Sequence, residues 1–371
     1  MLKDYVSFVG TGQCGGNISQ ELEIYGNQCF YVNSSLDDLD TIDTDYNKKY
    51  CIDNVKGMAI DRDYSNKVIT SDENDEKIAE QIYKKNPNSH IYFFAFGESG
   101  GTGGAMTVPI MRKFHQFYPD KIVNAIVVNP HEDEDMMMQY NAYKCLEELK
   151  QCLKEGIVTN LQILDNNSKE FGEKLKINKE FAELFEEILS FNKITTEGNL
   201  DEEELERIFT VSGITIIHRL KNGDIVNNLN NFAEETIYAK FMKNPSVHGL
   251  ILNKDQNKGV NRSIIKDVFG YPMVTHDTVW EEDYNIVIST GMSFDDEIIN
   301  DLKKNYNTLL EKKKEVENNI ALKKEVENIT IDDSILKSLN KNKSTETTER
   351  PNPRNRRGKA VGVKGEIRFR R

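Results

Sequence analysis

The stretch Ile91-Tyr-Phe-Phe-Ala-Phe-Gly97-Glu-Ser-Gly-Gly-Thr-Gly-Gly104 decides the fold class, because an apolar run leads directly into a glycine-rich turn. The run predicts a buried strand over His90–Phe96, and the residues that follow the turn predict a helix from Ala105 to Phe117. Glycines let a backbone approach a phosphate closely, and a helix N-terminus adds amide donors and positive potential. The sequence therefore predicts a phosphate-binding turn at 97–104.

A second glycine run, Gly10-Thr-Gly-Gln-Cys-Gly-Gly16, follows a predicted strand at Tyr5–Val9 and precedes a predicted helix at Asn17–Tyr25. Its spacing has the form of the dinucleotide fingerprint. That fingerprint also requires an acid at the end of the second strand, which here is Gln28–Val32. The residue at that place is Asn33, so a nicotinamide-dependent oxidoreductase is only a remote alternative. Neither run is followed by Gly-Lys-Ser/Thr, which excludes the Walker P-loop.

Strands that alternate with helices along the first half of the chain predict a parallel sheet covered by helices on both faces. A further strand is predicted at Ile122–Val128, closed by Asn129-Pro130. Both glycine turns then lie at the same edge of one sheet, where two nests of backbone amides suit a triphosphate better than a single pyrophosphate.

The second half of the chain has a different pattern, which begins with one long helical stretch at Phe171–Phe191. Apolar runs at Val211–Ile217, Val247–Leu252 and Asn285–Thr290, with a helix near Asn231–Met242, predict a smaller α/β domain. A highly charged helix is predicted over 295–328. The chain beyond it has few apolar residues, which indicates a flexible tail.

Composition narrows the class of protein. The chain has 371 residues, of which 38% are hydrophobic and 29% charged, and this excludes collagen-like, disulfide-framework and wholly disordered proteins. Five cysteines without a Cys-x-x-Cys pair indicate a reducing compartment, and their spacing argues against a structural zinc site. No apolar stretch approaches the roughly 20 residues that span a bilayer. We therefore expect a cytoplasmic protein with no membrane partner.

The net charge of −13 combines an acidic body with a basic end. The last 22 residues, Arg350–Arg371, contain nine basic residues and one acid. An acidic body repels nucleic acid, whereas a basic tail attracts phosphate or an acidic protein surface. The tail is therefore either a solubilising appendage or an arm that binds a partner.

The glycine runs resemble those of one family. Gly12-Gln-Cys-Gly15 is similar to the first nucleotide loop of tubulins, and Gly100-Gly-Thr-Gly103 is similar to the core of the tubulin/FtsZ superfamily signature. Ser99, Gly104 and Ala105 depart from the common pattern and indicate a divergent branch. The resemblance implies a filament-forming GTPase of tubulin-like α/β fold, with an N-terminal Rossmann-like parallel sheet, that binds GTP or GDP with Mg²⁺.

The same resemblance implies which residues contact the nucleotide. Gly57–Lys67 corresponds to the loop that senses the γ-phosphate, and Asn129-Pro130 to the sugar loop. The implied nucleotide-binding residues are Gly12, Gln13, Cys14, Asn17, Asn33, Gly100, Gly101, Thr102, Gly103 and Gly104 for phosphate and ribose, and Asn166 and Asn178 for the base.

An acidic segment, Gly198-Asn-Leu-Asp-Glu-Glu-Glu204, follows the long helix. Acids at a helix start commonly serve only to complement the helix dipole. The resemblance gives them a second role, because the segment matches the family pattern Asn-x-Asp-x-x-acid with Asn199, Asp201 and Glu204. It implies that these acids complete the hydrolytic site of the neighbouring subunit in a filament.

The basic tail resembles that of the TubZ branch, whose GTPases move plasmid or phage DNA through a DNA-bound adaptor, TubR. For the tail, direct binding to DNA is an alternative to binding an adaptor. For the whole protein, a task in cell division or phage positioning is an alternative to DNA partition. The residues implied in partner binding are Arg354, Arg356, Arg357, Lys359, Lys364 and Phe369.

These patterns predict five segments. They are a GTP-binding domain at 1–170, a central helix and catalytic loop at 171–206, a second α/β domain at 207–300, a charged C-terminal helix at 301–337 and a flexible basic tail at 338–371.

Overall fold

The structure is a computed structural model that describes most of the chain up to the last helix. The described residues are 2–52, 55, 57–191, 194–195, 198–221, 232, 236–255 and 262–327. The chain divides into two units, Met1–Lys312 and Lys313–Arg371, and the boundary falls inside the last described helix. The predicted tail lies outside the described residues.

The strands of the described segments form one large sheet and one short hairpin. They are β1 (Val6–Thr11), β2 (Gln28–Asn33), β3 (Lys49–Cys51), β4 (Ile91–Gly97), β5 (Ile122–Asn129), β6 (Asn160–Asp165), β7 (Ile194–Thr195), β8 (Gly198–Asn199), β9 (Gly213–Lys221), β10 (Val247–Asn253), β11 (Val274–Trp280) and β12 (Tyr284–Met292). The large sheet has the order β11-β10-β12-β9-β6-β5-β4-β1-β2-β3, and β7 pairs with β8.

Ten α-helices lie in the described part of the chain. They are α1 (Gly12–Ile24), α2 (Leu36–Asp40), α3 (Arg62–Thr70), α4 (Asn74–Lys85), α5 (Gly101–Phe117), α6 (Met136–Glu155), α7 (Lys176–Leu189), α8 (Glu202–Thr210), α9 (Arg262–Phe269) and α10 (Asp296–Glu327). Among the described residues, no helix combines the length and the apolar character needed to cross a bilayer.

The direction of the strands determines where a site can form. All pairs from β3 through β2, β1, β4 and β5 to β6 are parallel, and β9 continues parallel to β6. β12 is antiparallel to both of its neighbours. The ends of the parallel strands therefore form a carboxyl edge and an amino edge, and we use these two names below. The two predicted α/β domains share one continuous sheet.

Strand β4 lies at the centre of the core. Its residues from Ile91 to Phe96 are all fully buried, as expected for a parallel strand that has helices on both faces. Phe93 stacks on Phe8 with ring centroids 5.5 Å apart, and it contacts Phe185 of α7 edge-on at 5.2 Å. These contacts fix α7 against the middle of the sheet.

The long helix predicted over Phe171–Phe191 is shorter in the structure. A separate 3₁₀ turn covers Phe171–Glu173, and α7 begins only at Lys176. The side chain of Leu175 is 66% exposed, whereas Ile177 is fully buried. The apolar stripe that stabilises the helix therefore starts at Ile177, because residues before it have no core to pack against.

Of the helix predicted near Asn231–Met242, Phe232 is helical, but the described residues 236–242 are not, so the prediction is wrong for that part. Their backbone instead continues the pairing of β6. Tyr238 forms an antiparallel bridge with Leu164, and Ala239 N donates to Ile163 O at 2.9 Å. β6 pairs with β9 only at its first two residues, so its remaining backbone groups need these partners.

Candidate nucleotide-binding and catalytic site

Both glycine runs begin helices at the carboxyl edge. The first was predicted as a loop through Gly16, but α1 already starts at Gly12, and α5 starts at Gly101. The residues that precede them, Thr11 and Gly100, give no side-chain cap hydrogen bond. The first amides of both helices thus remain available to an anion, and their dipoles add positive potential.

The two glycine runs pack directly against each other. Gly12 has a φ of +69°, and a Cβ there would lie 2.9 Å from the backbone nitrogen of Gly103. A Cβ on Gly104 would lie 1.8 Å from the carbonyl oxygen of Glu98. At Gly100, in contrast, no heavy atom lies within 4 Å of such a Cβ. Most of these glycines serve packing, and Gly100 leaves space for a ligand.

The loop after β2 joins this surface through a hydroxyl pair. Ser34 Oγ and Thr102 Oγ1 are 2.6 Å apart. Asn33, a predicted ligand contact, is only 1% exposed. Its Oδ1 accepts hydrogen bonds from the backbone nitrogens of Ser34 at 2.8 Å and Ser35 at 3.2 Å. The side chain of Asn33 therefore stabilises the loop itself, and the side chain of Ser34 joins the loop to α5.

The segment predicted to sense the γ-phosphate contains a strained turn. Ala59 and Ile60 have φ values of 47° and 62°, a conformation that non-glycine residues adopt only under constraint. Asn141 Nδ2 donates to Ile60 O at 2.9 Å, and Arg62 Nη1 donates to Gly104 O at 2.6 Å. This turn is therefore tied to the first turn of α5, a link that local sequence patterns did not reveal.

The predicted base and sugar contacts lie along the same edge. Asn129 ends β5, and Asn166 follows the last residue of β6. Asp165 Oδ1 accepts from the backbone nitrogen of Asn167 at 3.0 Å, and the side chain of Asn166 is half-buried. Asn178 is in the first turn of α7 and is 6% exposed.

The side chains in the first turn of α1 differ in exposure. Gln13 is exposed, whereas Cys14 and Asn17 are half-buried. Desolvation raises the pKa of the Cys14 thiol to about 12, and the nearby Glu98 carboxyl raises it further. A thiol that stays protonated is a poor nucleophile, so Cys14 is not a candidate for nucleophilic chemistry.

The acidic segment forms a capping box at the start of α8. Glu204 N donates to Asp201 Oδ1 at 2.8 Å, and Asp201 N donates to Glu204 Oε2 at 3.1 Å. Such a box satisfies two amides of a helix start. These hydrogen bonds support the interpretation that the two acids stabilise the start of the helix. Asp201 is nevertheless exposed, so the rest of its carboxylate faces solvent.

A histidine from a distant strand holds the second acid. His276 Nδ1 of β11 lies 2.6 Å from Glu204 Oε1. Glu204 is therefore bonded through both of its carboxylate oxygens. Sequence analysis missed His276, because 72 residues separate it from Glu204 and no local motif surrounds it.

Helix α8 lies at the amino edge of the sheet. His90, just before β4, is 3.7 Å from Glu206, and Asn124 Nδ2, near the start of β5, donates to Phe209 O at 2.9 Å. The seven residues of β4 span about 20 Å at the usual rise per residue. Asp201 and Glu204 therefore lie far from the glycine runs of their own chain. The side chain of Asn199 and the tail residues Arg354–Phe369 lie outside the described residues.

Comparison with known proteins identifies the N-terminal half. Residues 5–168 match the family described as "Tubulin/FtsZ family, GTPase domain". Residues 5–168 are a GTPase domain of the tubulin/FtsZ family. This match contains both glycine runs, the strained turn, Asn129-Pro130 and Asn166, whereas the second predicted base contact, Asn178, lies beyond it. The predicted family is confirmed for these residues, and that family implies the predicted binding of GTP or GDP.

The relatives of this GTPase domain include TubZ proteins. The chain is 28% identical to the tubulin-like protein TubZ of Clostridium botulinum C phage over 344 residues, which cover 91% of this chain and 92% of the relative. It is 24% identical to CetZ of Pyrococcus abyssi over 66% of this chain and 70% of the relative.

Solved structures give the same fold. A tail-truncated TubZ from Clostridium botulinum phage c-st has a TM-score of 0.76 at 27% identity and covers 84% of this chain and 100% of its own. A TubZ from Bacillus thuringiensis serovar israelensis has a TM-score of 0.73 at 17% identity, with 85% and 94% coverage. The predicted tubulin-like fold is confirmed.

Proposed function

We propose that this GTPase assembles head to tail and hydrolyses GTP at the contact between two copies. The proposal rests on one observation, which is that the helix starts suited to bind phosphate and the two acids lie at opposite ends of the sheet. The uncapped helix starts at Gly12 and Gly101 lie at the carboxyl edge, and Asp201 and Glu204 lie about 20 Å away at the amino edge. One copy stacked on another brings the amino edge of one against the carboxyl edge of the next.

The carboxyl edge binds the nucleotide in this proposal. Amides of α1 and α5 bond the phosphates, the turn at Ala59–Ile60 contacts the terminal phosphate, and Asn166 and Asn178 contact the base. The described residues hold no group of three or more His, Cys, Asp or Glu side chains able to hold a metal. Mg²⁺ would therefore be held mainly by phosphate oxygens and water, which is usual for this ion, and would neutralise their charge.

The amino edge contributes the acids. Asp201 is exposed, and its carboxylate orients and polarises the attacking water, while Glu204 supports it. Positioning and charge stabilisation dominate phosphoryl transfer, so two oriented carboxylates suffice for this role. A head-to-tail contact that does not close produces an open filament. The related fold of Bacillus thuringiensis TubZ has been solved as a protofilament in a GTPγS form.

The test compares two substitutions of Asp201. Asparagine caps a helix as well as aspartate does, whereas alanine costs about 1 kcal/mol at that position. A catalytic carboxylate predicts that Asp201→Asn and Asp201→Ala both bind GTP and assemble but hydrolyse it at least about 100-fold more slowly. Turnover, pelleting and nucleotide binding are measured on each variant.

A purely structural role gives the opposite pattern for the same pair. Asp201→Asn then turns over GTP at the wild-type rate, and only Asp201→Ala loses stability. That result would refute the catalytic assignment. Full turnover in wild-type protein too dilute to associate would refute the shared site itself.

We further propose that the filament moves plasmid or phage DNA through an adaptor of the TubR type that binds the basic tail. The relationship to a phage TubZ and the charge of Arg350–Arg371 support this. Deletion of residues 340–371 should leave GTP turnover intact and abolish co-pelleting with adaptor-bound DNA. Binding to bare DNA that falls steeply with salt would instead favour direct contact of the tail with phosphates.

A further inference from the structure

One buried carboxyl group at the carboxyl edge has no role in the scheme above. Glu98 follows the last residue of β4 and is fully buried. Neither of its carboxylate oxygens has a hydrogen-bond partner among the described residues. An unpaired buried carboxylate is among the most costly groups a fold can contain. Its presence in the glycine run at 97–104, which we call the signature loop, therefore requires an explanation.

Two amide side chains beside Glu98 also have oxygens that accept no hydrogen bond from the described residues. Gly97 is the register partner of Val128, and Glu98 N donates to Val128 O at 3.2 Å, so Asn129 is the next residue alongside Glu98. Asn141 Nδ2 donates at 3.1 Å to the carbonyl of Ser99, the residue after Glu98. The oxygens Asn129 Oδ1 and Asn141 Oδ1 are both buried and unpartnered in the described structure. We call Glu98, Asn129 and Asn141 the acceptor cluster.

The orientation of both amides is fixed by their other contacts. Asn129 Nδ2 donates to Asp165 Oδ1 at 3.3 Å, and Asn141 Nδ2 donates to two carbonyl oxygens. Reversing either amide would set its oxygen against another acceptor. The cluster therefore presents oxygen acceptors and no donor from the described part of the chain.

Nearby cationic side chains are already paired. Arg62 Nη2 lies 2.5 Å from Glu148 Oε2, and Lys174 is bonded to Glu134. Burial raises the pKa of Glu98 well above its usual range, and the charge of Asp165 raises it further. A cation beside this carboxylate would offset the cost of burying its ionised form.

We propose that the acceptor cluster binds a monovalent cation, K⁺ or Na⁺, directly behind the signature loop. Carboxylate and amide oxygens are ligands for hard cations, and one unpaired carboxylate balances one positive charge. The described residues contain no group of three or more His, Cys, Asp or Glu side chains that could hold a metal ion, which disfavours a divalent ion. A bound cation would fix Glu98 and Ser99, and with them the start of α5.

The first experiment is thermal unfolding of the full chain with saturating GDP and fixed Mg²⁺, in KCl, NaCl or choline chloride at equal ionic strength. We expect wild type to melt about 3 °C higher in at least one alkali salt than in choline. Glu98→Gln removes the charge and adds a donor, so its melting temperature should be the same in all three salts. Glu80→Gln, on the exposed side of α4, should respond as wild type does.

The second experiment requires no variant and remains decisive if Glu98→Gln fails to fold. Crystals of the GDP-bound chain are soaked in thallium(I) acetate, since Tl⁺ replaces K⁺ and scatters anomalously. We expect an anomalous peak between Glu98, Asn129 and Asn141. Equal wild-type melting temperatures in the three salts, a salt response retained in Glu98→Gln, or no peak at the cluster would overturn the proposal.

Discussion

The two edges of one sheet use different chemistry. At the carboxyl edge, Gly12, Gly101 and Gly103 let the two helix starts pack closely, because a Cβ on any of them would lie within 3 Å of a neighbouring atom. At the amino edge, Asp201 and Glu204 present carboxylates held by a capping box and by His276. A backbone site tolerates almost no added atom, whereas a side-chain site tolerates any change that keeps the functional group in place. The predictions below test this contrast.

The largest effect is expected for Gly104→Ala at the carboxyl edge. Its Cβ would lie 1.8 Å from the carbonyl oxygen of Glu98, and overpacking of this severity costs about 3 kcal/mol or more. We expect a large fall in the urea midpoint. Gly100→Ala is the matched control, because no atom lies within 4 Å of its Cβ. It should keep its stability and lose GTP affinity, and equal stability losses in both variants would contradict this account of the edge.

A smaller effect is expected at the amino edge from His276. Asparagine places an amide nitrogen near the position of Nδ1, which lies 2.6 Å from Glu204, whereas glutamine places its amide near the position of Nε2. We expect His276→Asn to retain turnover and His276→Gln to lower kcat about tenfold, since misplaced catalytic groups lose rate steeply. GTP affinity and the critical concentration for assembly should stay constant in both.

Combining His276→Gln with Glu204→Ala sharpens this test. If His276 acts only through Glu204, the double variant turns over no more slowly than Glu204→Ala alone. Additive losses would show that His276 acts elsewhere. A normal rate in Glu204→Ala would instead contradict the role of Glu204 itself.

Sequence patterns predicted the fold and the carboxyl edge more fully than the amino edge. Strand β4 and the glycine run after it are local signals, because an apolar run and a glycine turn need no distant residue to be recognised. His276, Arg62 and Asn141 reach their partners across the fold, so their roles have no local signal.

The wrong and incomplete helix predictions have the same cause. Apolar spacing predicted a helix near 231–242, but the backbone at Tyr238 completes the pairing of β6. Phe171–Glu173 form only a 3₁₀ turn, because the residues before Ile177 have no core to pack against. Contacts with distant residues decide whether such segments are helical, and local sequence patterns do not reveal those contacts.

A modest effect is expected where the loop after β2 meets α5. Ser34→Ala removes one member of the 2.6 Å hydroxyl pair with Thr102 and should cost about 1 kcal/mol of stability. GDP binding should weaken as the loop loses its hold on α5. Thr70→Ala, on the exposed end of α3, is the control, and equal losses in both variants would argue against a special role for Ser34.

The smallest effect concerns acid stability. Burial lowers the pKa of His248 below its usual 6.5, and its Nε2 lies 2.9 Å from Gly270 O. A lowered pKa in the folded state means that the stabilisation is present above pH 6.5 and is lost as the pH falls below it. We expect the urea midpoint to fall slightly between pH 7.5 and 5.5, and less so in His248→Gln. An equal fall in both proteins would exclude this histidine as the cause.

The separation of the glycine runs from Asp201 determines how defective copies behave in a mixture. In the proposed filament, a copy without Asp201 silences only the neighbour that it faces, and its own GTP is still hydrolysed by the copy on the other side. A copy unable to bind GTP has the reverse defect. The two inactive variants should therefore complement each other when mixed, with activity restored only at junctions where an intact acid meets an intact phosphate surface.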